Sequence, residues 1–477
     1  MTKTVVIRTA GIAVLVGLLT VATTRAAETR VSLTDEPGPE GGAGSWKIDI
    51  DVRDLEGSGP IEFICTDGSW PRDIPFLELL ECDPPLASRA DDDSSLTLTR
   101  PAAWDGRARL SYRLLVVDRG SETHVSHTRM PTRGDQFAFG FSSNTILRPT
   151  QDGAPAGGSV SVSVIPSSRA ETVVTGWGGE TRGRQEVRPD PAWGNSQIAF
   201  GRPTGRSDAT EGGVTIEVFQ FGPGRDLTAR VADLMRAFPP TIARYTGRPA
   251  RAPSRTFLTD SLRDGMATDF GLHISVRSDP NEYDPWFATV AAHETFHEWL
   301  GFALVPDRQS LTWFHEGFTE YFALWLTTST GIANPPYFAE TLARYDRFAR
   351  SDTAFGEVPF TDPDVVWRDG DGRCELMAYR GAPVLALALD VELRARGEPG
   401  LLQLIRDLCA RAPGPYTTDE LRAWFVAQGM ADTWDASIAG LAVPSAAESL
   451  ERAGYECVDG AWSATEATKE FFSFTPR

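Results

Sequence analysis

Hydrophobic and polar residues alternate in short runs from Trp46 to about Gln220. Lys47–Arg53 (KIDIDVR), Arg109–Val117 (RLSYRLLVV) and Gly158–Ile165 (GSVSVSVI) each repeat with period two, and Val214–Phe221 (VTIEVFQF) closes the series. Such runs, broken by Gly, Pro and Asp-Gly, predict an N-terminal β-sandwich over residues 46–221. Residues 28–45 (ETRVSLTDEPGPEGGAGS) are polar and rich in Gly and Pro, and read as a linker. The period changes after Arg225. Leu227–Tyr245 predicts a helix broken or kinked at Pro239 and Pro240. Arg255–Thr259 and Leu272–Val276 predict strands, and from Trp286 onward the pattern is mostly helical. The expected architecture is multidomain α+β: a sandwich, a mixed domain over 222–330 and a helical C-terminal region over 331–477. No internal repeat of 20–50 residues appears.

The first 27 residues follow another logic. Lys3 and Arg8 precede an apolar run from Ala10 to Ala22, and small residues around Thr24, Ala26 and Ala27 offer a cleavage point. That layout predicts a secretory signal peptide at 1–27. The run is short for a bilayer span of about 20 residues, and no later stretch is apolar enough for one. The expectation is therefore a periplasmic or secreted protein with no stable membrane span after cleavage.

Among 477 residues, 41% are hydrophobic and 23% charged, which is globular composition. The formal charge of −19 becomes about −22 without the leader, and Lys occurs only at 3, 47 and 469. No basic cluster tracks a phosphate backbone, so nucleic acid is not an expected partner. The five cysteines (Cys65, Cys82, Cys374, Cys409, Cys457) include no C-x-x-C pair. They read as structural, with Cys65 and Cys82 near enough in sequence to close one loop and one further pair available among the other three.

Candidate chemistry lies in residues 288–302, ATVAAHETFHEWLGF. His293 and His297 are four apart, and no Gly or Pro falls between Trp286 and Leu300, so one helix face presents both imidazoles. Glu294 lies about 100° round from His293, in reach of a water rather than of the metal itself. After an 18-residue spacer, LTWFHEGFTEYFALW supplies Glu316, with Glu320 one turn later. Glu316 completes a His2Glu zinc site with one open position, and Glu320 is placed to orient an imidazole. Other residues read blandly. His315 should point away from the metal face. His124 and His127 should face solvent, and His273 should pack in its strand. Trp299, Trp313, Phe318 and Trp325 read as core, and Asp91–Asp93 as an exposed turn. Arg380 reads either as a carboxylate clamp or as an ion-pair partner.

H-E-x-x-H, the 18-residue spacer and E-G-F-x-E-Y resemble the gluzincin metallopeptidases of the aminopeptidase N superfamily. Ala378–Arg394 (AYRGAPVLALALDVELR), Tyr416–Leu421 (YTTDEL) and Ile438–Gly454 are similar to the glycyl aminopeptidase family, without its PDZ module. The resemblance spans roughly residues 45–460 and implies a thermolysin-like catalytic domain at 222–330. It also implies one Zn2+, a peptide or protein substrate, and hydrolysis with Glu294 as general base. Tyr379 becomes the candidate oxyanion donor, although it stands two residues before Gly381 where that family's tyrosine stands three before, an offset that turns a side chain by about 100° on an α-helix. The superfamily's amine-binding Gly-x-x-Glu corresponds to Gly265-Met266-Ala267-Thr268-Asp269, which has no Glu and leaves Asp269 as the substitute. The resemblance favours an aminopeptidase. The missing Glu keeps an endopeptidase open, and the shifted tyrosine keeps open a zinc-containing peptide-binding protein with little turnover.

Overall fold

The structure, a computed structural model, describes residues 27–36, 44–55, 60–64, 77–89, 95–102, 104–118, 132–134, 137–151, 154–155, 158–168, 170–189, 194–222, 224–250, 253–259, 265–275, 285–307, 311–351, 356–362, 376–411 and 414–473. The leader-like residues 1–26, Cys65, Asp91–Asp93, His124, His127 and Cys374 lie outside them. Cys82, Cys409 and Cys457 are free thiols, so Cys82 closes no loop here.

The first departure from the sequence reading is at the linker. Glu28–Glu36 is a strand, antiparallel to Ser45–Arg53 and parallel to Ser159–Ile165. Its burial alternates, with Val31 and Leu33 inside at 2% and 0% exposure. The Gly and Pro residues that suggested a linker all fall after Glu36, and R-V-S-L-T before them already has period two. The strand sits inside a six-stranded sheet whose inner face carries Trp46, Ile48, Ile50, Leu110, Tyr112 and Val162. A second six-stranded sheet and a five-stranded one complete the N-terminal β region.

Val214–Gln220 does not close that region. With Gly205–Glu211 it enters a mixed five-stranded sheet that continues through Ser254–Thr259, Gly271–Ser275 and, at the edge, Gly265–Thr268. Val214–Gln220, before the expected boundary at 221, thus hydrogen-bonds to Ser254–Thr259 after it, and Gly205–Glu211 joins the same sheet through Val214–Gln220. Thr228–Thr246 is the crossover between two parallel strands, and it stays helical through Pro239 and Pro240. Two prolines remove two N–H donors. The buried stripe of Val231, Met235, Phe238 and Ile242 in the core beside this sheet outweighs that cost.

Helices Pro285–Phe296, Thr312–Ser329, Pro335–Arg350 and Ala382–Ala395 pack beside this sheet around one continuous core. The C-terminal region is mainly helical, as expected, and adds a hairpin, Tyr455–Val458 with Ala461–Ala464. YTTDEL begins a helix by a capping box, in which Thr417 and Glu420 each bond the other's backbone N–H. No helix among the described residues is long and apolar enough to cross a membrane.

Candidate metal centre

The helix that carries Glu316 packs closely on the segment around Ala378 and Ala382. A Cβ at Gly317 would overlap Ala382 and the carbonyl of Ala378, so only glycine lets Thr312–Ser329 approach this close. Pro285–Phe296 is buried nearly all round, from Phe287 to Phe296. The helix ends at Phe296, earlier than the expected Leu300. His297 keeps an N–H bond to the His293 carbonyl at 3.3 Å, and the chain then turns so that Leu300 faces it.

That turn decides a tautomer. His297 Nδ1 lies 3.0 Å from the Leu300 carbonyl, which can only accept, so Nδ1 carries the proton. His293 Nδ1 lies 2.9 Å from Glu320 Oε2 and donates to it. In the neutral imidazoles both Nε2 atoms are then bare lone pairs, and they face each other at 3.1 Å. Glu316 Oε2 stands 3.3 Å from His293 Nε2 and 3.4 Å from His297 Nε2. Three acceptors converge, and the two imidazole lone pairs face each other, an arrangement that a cation satisfies. The spacings fit one ion. A tetrahedron with bonds of about 2.0–2.1 Å, the range for zinc, has edges of about 3.3 Å. His293, His297 and Glu316 thus form a zinc-type donor set.

The electrostatics of the site agree with this. Burial opposes charge on His293, but hydrogen bonds from Glu316 and Glu320 outweigh it and hold the imidazole well above its ordinary range. Burial likewise works against the Glu316 carboxylate, yet His297 and His293 keep it well below the usual value. Without an ion, a proton on His293 fills the cation's place.

Glu294 is held apart from this triad. It lies against the edge strand, where a Cβ on Gly265 would be 2.5 Å from its Oε1. The backbone N–H of Ala267 donates to its carboxylate. Burial pushes its pKa up, against the lowering effect of His293 and His297. Tyr379 reaches the other side. Residues Met377–Gly381 form a π turn, with the N–H of Ala382 bonded to the carbonyl of Met377 five residues back. The rotation expected from a one-residue offset assumes α geometry, which is absent here. The Tyr379 hydroxyl donates to Glu316, and its ring lies 6.2 Å from that of His293. Burial and the Glu316 charge raise its pKa well above 10, so it remains a donor.

Asp269 is not brought to the centre. It sits at the hairpin turn, four residues and so about 13 Å along the strand from Gly265. Its Oδ2 accepts the backbone N–H of Asn195 at 2.8 Å. Thr268, at the fourth position of the Gly-x-x-Glu pattern, is buried, with its hydroxyl 3.0 Å from Gln197 Oε1 and from the Gly271 carbonyl.

His315 does not point away as expected. Its ring stacks on His297 at 4.8 Å, and Nε2 lies 3.4 Å from Glu316 Oε1. Burial lowers its pKa to about 4, so it is neutral. A glycine at 301, with φ of 154°, leaves room for it. Arg380 is neither free clamp nor simple ion pair, because its guanidinium lies 4.4 Å over the Tyr345 ring and donates to the Tyr379 carbonyl.

The same architecture recurs in solved structures. An aminopeptidase N family protein from Idiomarina loihiensis matches with a TM-score of 0.72 over 92% of this chain and 82% of its own, at 14% identity. An M1 zinc metallopeptidase from Deinococcus radiodurans matches at 0.54 over 86% of this chain and 92% of its own, also at 14% identity. Yeast LTA4 hydrolase in complex with bestatin matches at 0.55, over 88% and 68%, at 14% identity. The chain has the M1 metallopeptidase fold. A scan of family models and a search of curated proteins gave no match.

Proposed function

We propose that this chain is an exported zinc metallopeptidase that hydrolyses peptide bonds and acts as an aminopeptidase. The observation that carries the reading is the three-acceptor centre with a separate buried carboxylate beside it. Zinc bound by His293, His297 and Glu316 supplies Lewis acidity, which polarises a carbonyl and makes water nucleophilic near neutral pH. Glu294 takes the proton from the attacking water and passes it to the leaving amine. Its raised pKa suits both halves of that transfer. Tyr379 exchanges its bond to Glu316 for one to the developing oxyanion, its proton fixed by the high pKa. Glu320 keeps the His293 ring in the tautomer that leaves Nε2 bare.

Aminopeptidase action rests on the shared fold. One of the Deinococcus structures holds a Tyr-Ser-Ala substrate. The edge strand favours a second reading, an endopeptidase. Among the described residues of that strand and its turn, Asp269 is the only carboxylate, and it is engaged with Asn195. The leader-like first 27 residues, followed at Glu28 by the first strand, support export.

Product mapping by mass spectrometry tests all of this. The protein is incubated with free and N-acetylated peptides, with Glu294→Gln as the control. Single-residue losses from free N-termini alone support the aminopeptidase. Internal cuts in both sets replace it with the endopeptidase, and absence of any cleavage by zinc-loaded protein removes the enzyme reading.

A further inference from the structure

Glu320 bonds His293 through only one of its oxygens, Oε2. A carboxylate with a side-chain exposure of 12% cannot leave the other oxygen bare without cost. It could also pivot about its last torsion, taking the His293 ring with it. Tyr345, from the next helix, closes that freedom: its hydroxyl donates to Glu320 Oε1 at 2.5 Å. The phenol is itself only 5% exposed. Over its ring lies the guanidinium of Arg380, from the π turn, at 4.4 Å. A cation on a ring face makes the phenol O–H a stronger donor and sets a positive charge near the buried carboxylate.

Three elements therefore meet behind one ligand. Thr312–Ser329 contributes Glu320, Pro335–Arg350 contributes Tyr345, and Met377–Gly381 contributes Arg380. The π turn has two duties, because Tyr379 reaches Glu316 while its neighbour Arg380 reaches Tyr345. We propose that Tyr345, backed by Arg380, is a positioning residue for the metal: it locks the Glu320 carboxylate so that His293 Nε2 is held on the ion. Tyr345 touches neither metal nor substrate. It acts on zinc retention through Glu320, and the inference rests on the zinc-site reading above.

The test is zinc affinity, measured by chelator competition, for wild type, Tyr345→Phe and Arg380→Met, with the thermal midpoint of each zinc-free protein alongside. Removing the hydroxyl should weaken zinc about tenfold, the lower end for outer-layer partners of metal ligands. Arg380→Met should move affinity the same way by less. The zinc-free midpoint of Tyr345→Phe should fall by no more than one bared carboxylate oxygen costs, since the ring and its packing remain. The zinc-bound midpoint should fall further, and kcat should recover at saturating zinc. Unchanged zinc affinity in both variants would overturn the proposal. So would equal falls in the zinc-free and zinc-bound midpoints, because Tyr345 would then be a packing residue with no hold on the metal. A wild type that binds no zinc overturns the metallopeptidase reading and this inference together, whereas zinc-binding wild type with unaffected variants overturns this one alone.

Discussion

At the scale of single residues, Glu294 and Gly265 lie against each other beside the metal centre, and each makes a separable prediction. Glu294→Gln keeps the shape and the Ala267 hydrogen bond but removes the proton acceptor. Zinc should stay at one per chain by metal analysis, and kcat should fall by about 10²–10⁴. Full activity in that variant would remove Glu294 from the mechanism. Gly265→Ala attacks the same group from the strand side. Its Cβ would sit 2.5 Å from Glu294 Oε1, so the carboxylate must move. A displacement of about 1 Å costs about 10²-fold in rate, with zinc content unchanged, because Glu294 holds no metal in this arrangement. The residues that do this chemistry were legible in the chain where spacing alone placed them: His293 and His297 on one face, Glu316 and Glu320 one turn apart. His315 and Tyr345 were not. Tyr345 stands 25 residues beyond Glu320 on a separate helix, and nothing in R-Y-D-R announces a partner.

Elements were legible where one period ran undisturbed and illegible where two signals competed. Glu28–Glu36 was hidden by the Gly and Pro residues after it. The sheet crosses the boundary expected near 221 because Val214–Gln220, which alternates like the strands before it, pairs on one side with Ser254–Thr259 after it. Tyr379 was judged by α-helical rotation in a segment that forms a π turn. That turn depends on the close approach of Gly317 to Ala378 and Ala382. Gly317→Ala should push the π turn away from the metal helix, costing about 1–3 kcal/mol of stability as overpacking does. Since Tyr379 rides on that turn, kcat should fall with it, while His293 and His297 keep zinc. The check is a denaturant midpoint beside kcat and zinc content. A variant of wild-type activity and stability would show that the two helices have slack at this point.

At the scale of the whole molecule, the β region and the metal-bearing unit are joined by an aromatic seam. Phe137, Phe139 and Phe141 of one meet Phe219, Phe221 and Phe257 of the other, with Phe139 and Phe257 6.1 Å apart. His273 is set into the seam, 4.9 Å from Phe139 and 5.7 Å from Phe141, and 1% exposed. Its Nε2 pairs with the Thr259 hydroxyl at 2.7 Å, while Nδ1 has no hydrogen-bond partner among the described residues. Burial lowers its pKa from 6.5 to about 3. The sign follows from which state takes the proton. Below pH 6.5 the unfolded chain protonates this imidazole and the folded chain does not, so stability present above 6.5 is lost progressively down to about pH 3. Between pH 6.5 and 5 the loss attributable to this one group is about 2 kcal/mol. His273→Phe, which keeps the aromatic contacts and cannot titrate, should flatten the curve by that amount. Both proteins are compared zinc-free, so that protonation of the metal ligands cancels in the difference. Parallel urea midpoints for the two proteins across this window would mean that the seam opens to water, and that the β region and the metal-bearing unit are less firmly joined than the packed rings imply.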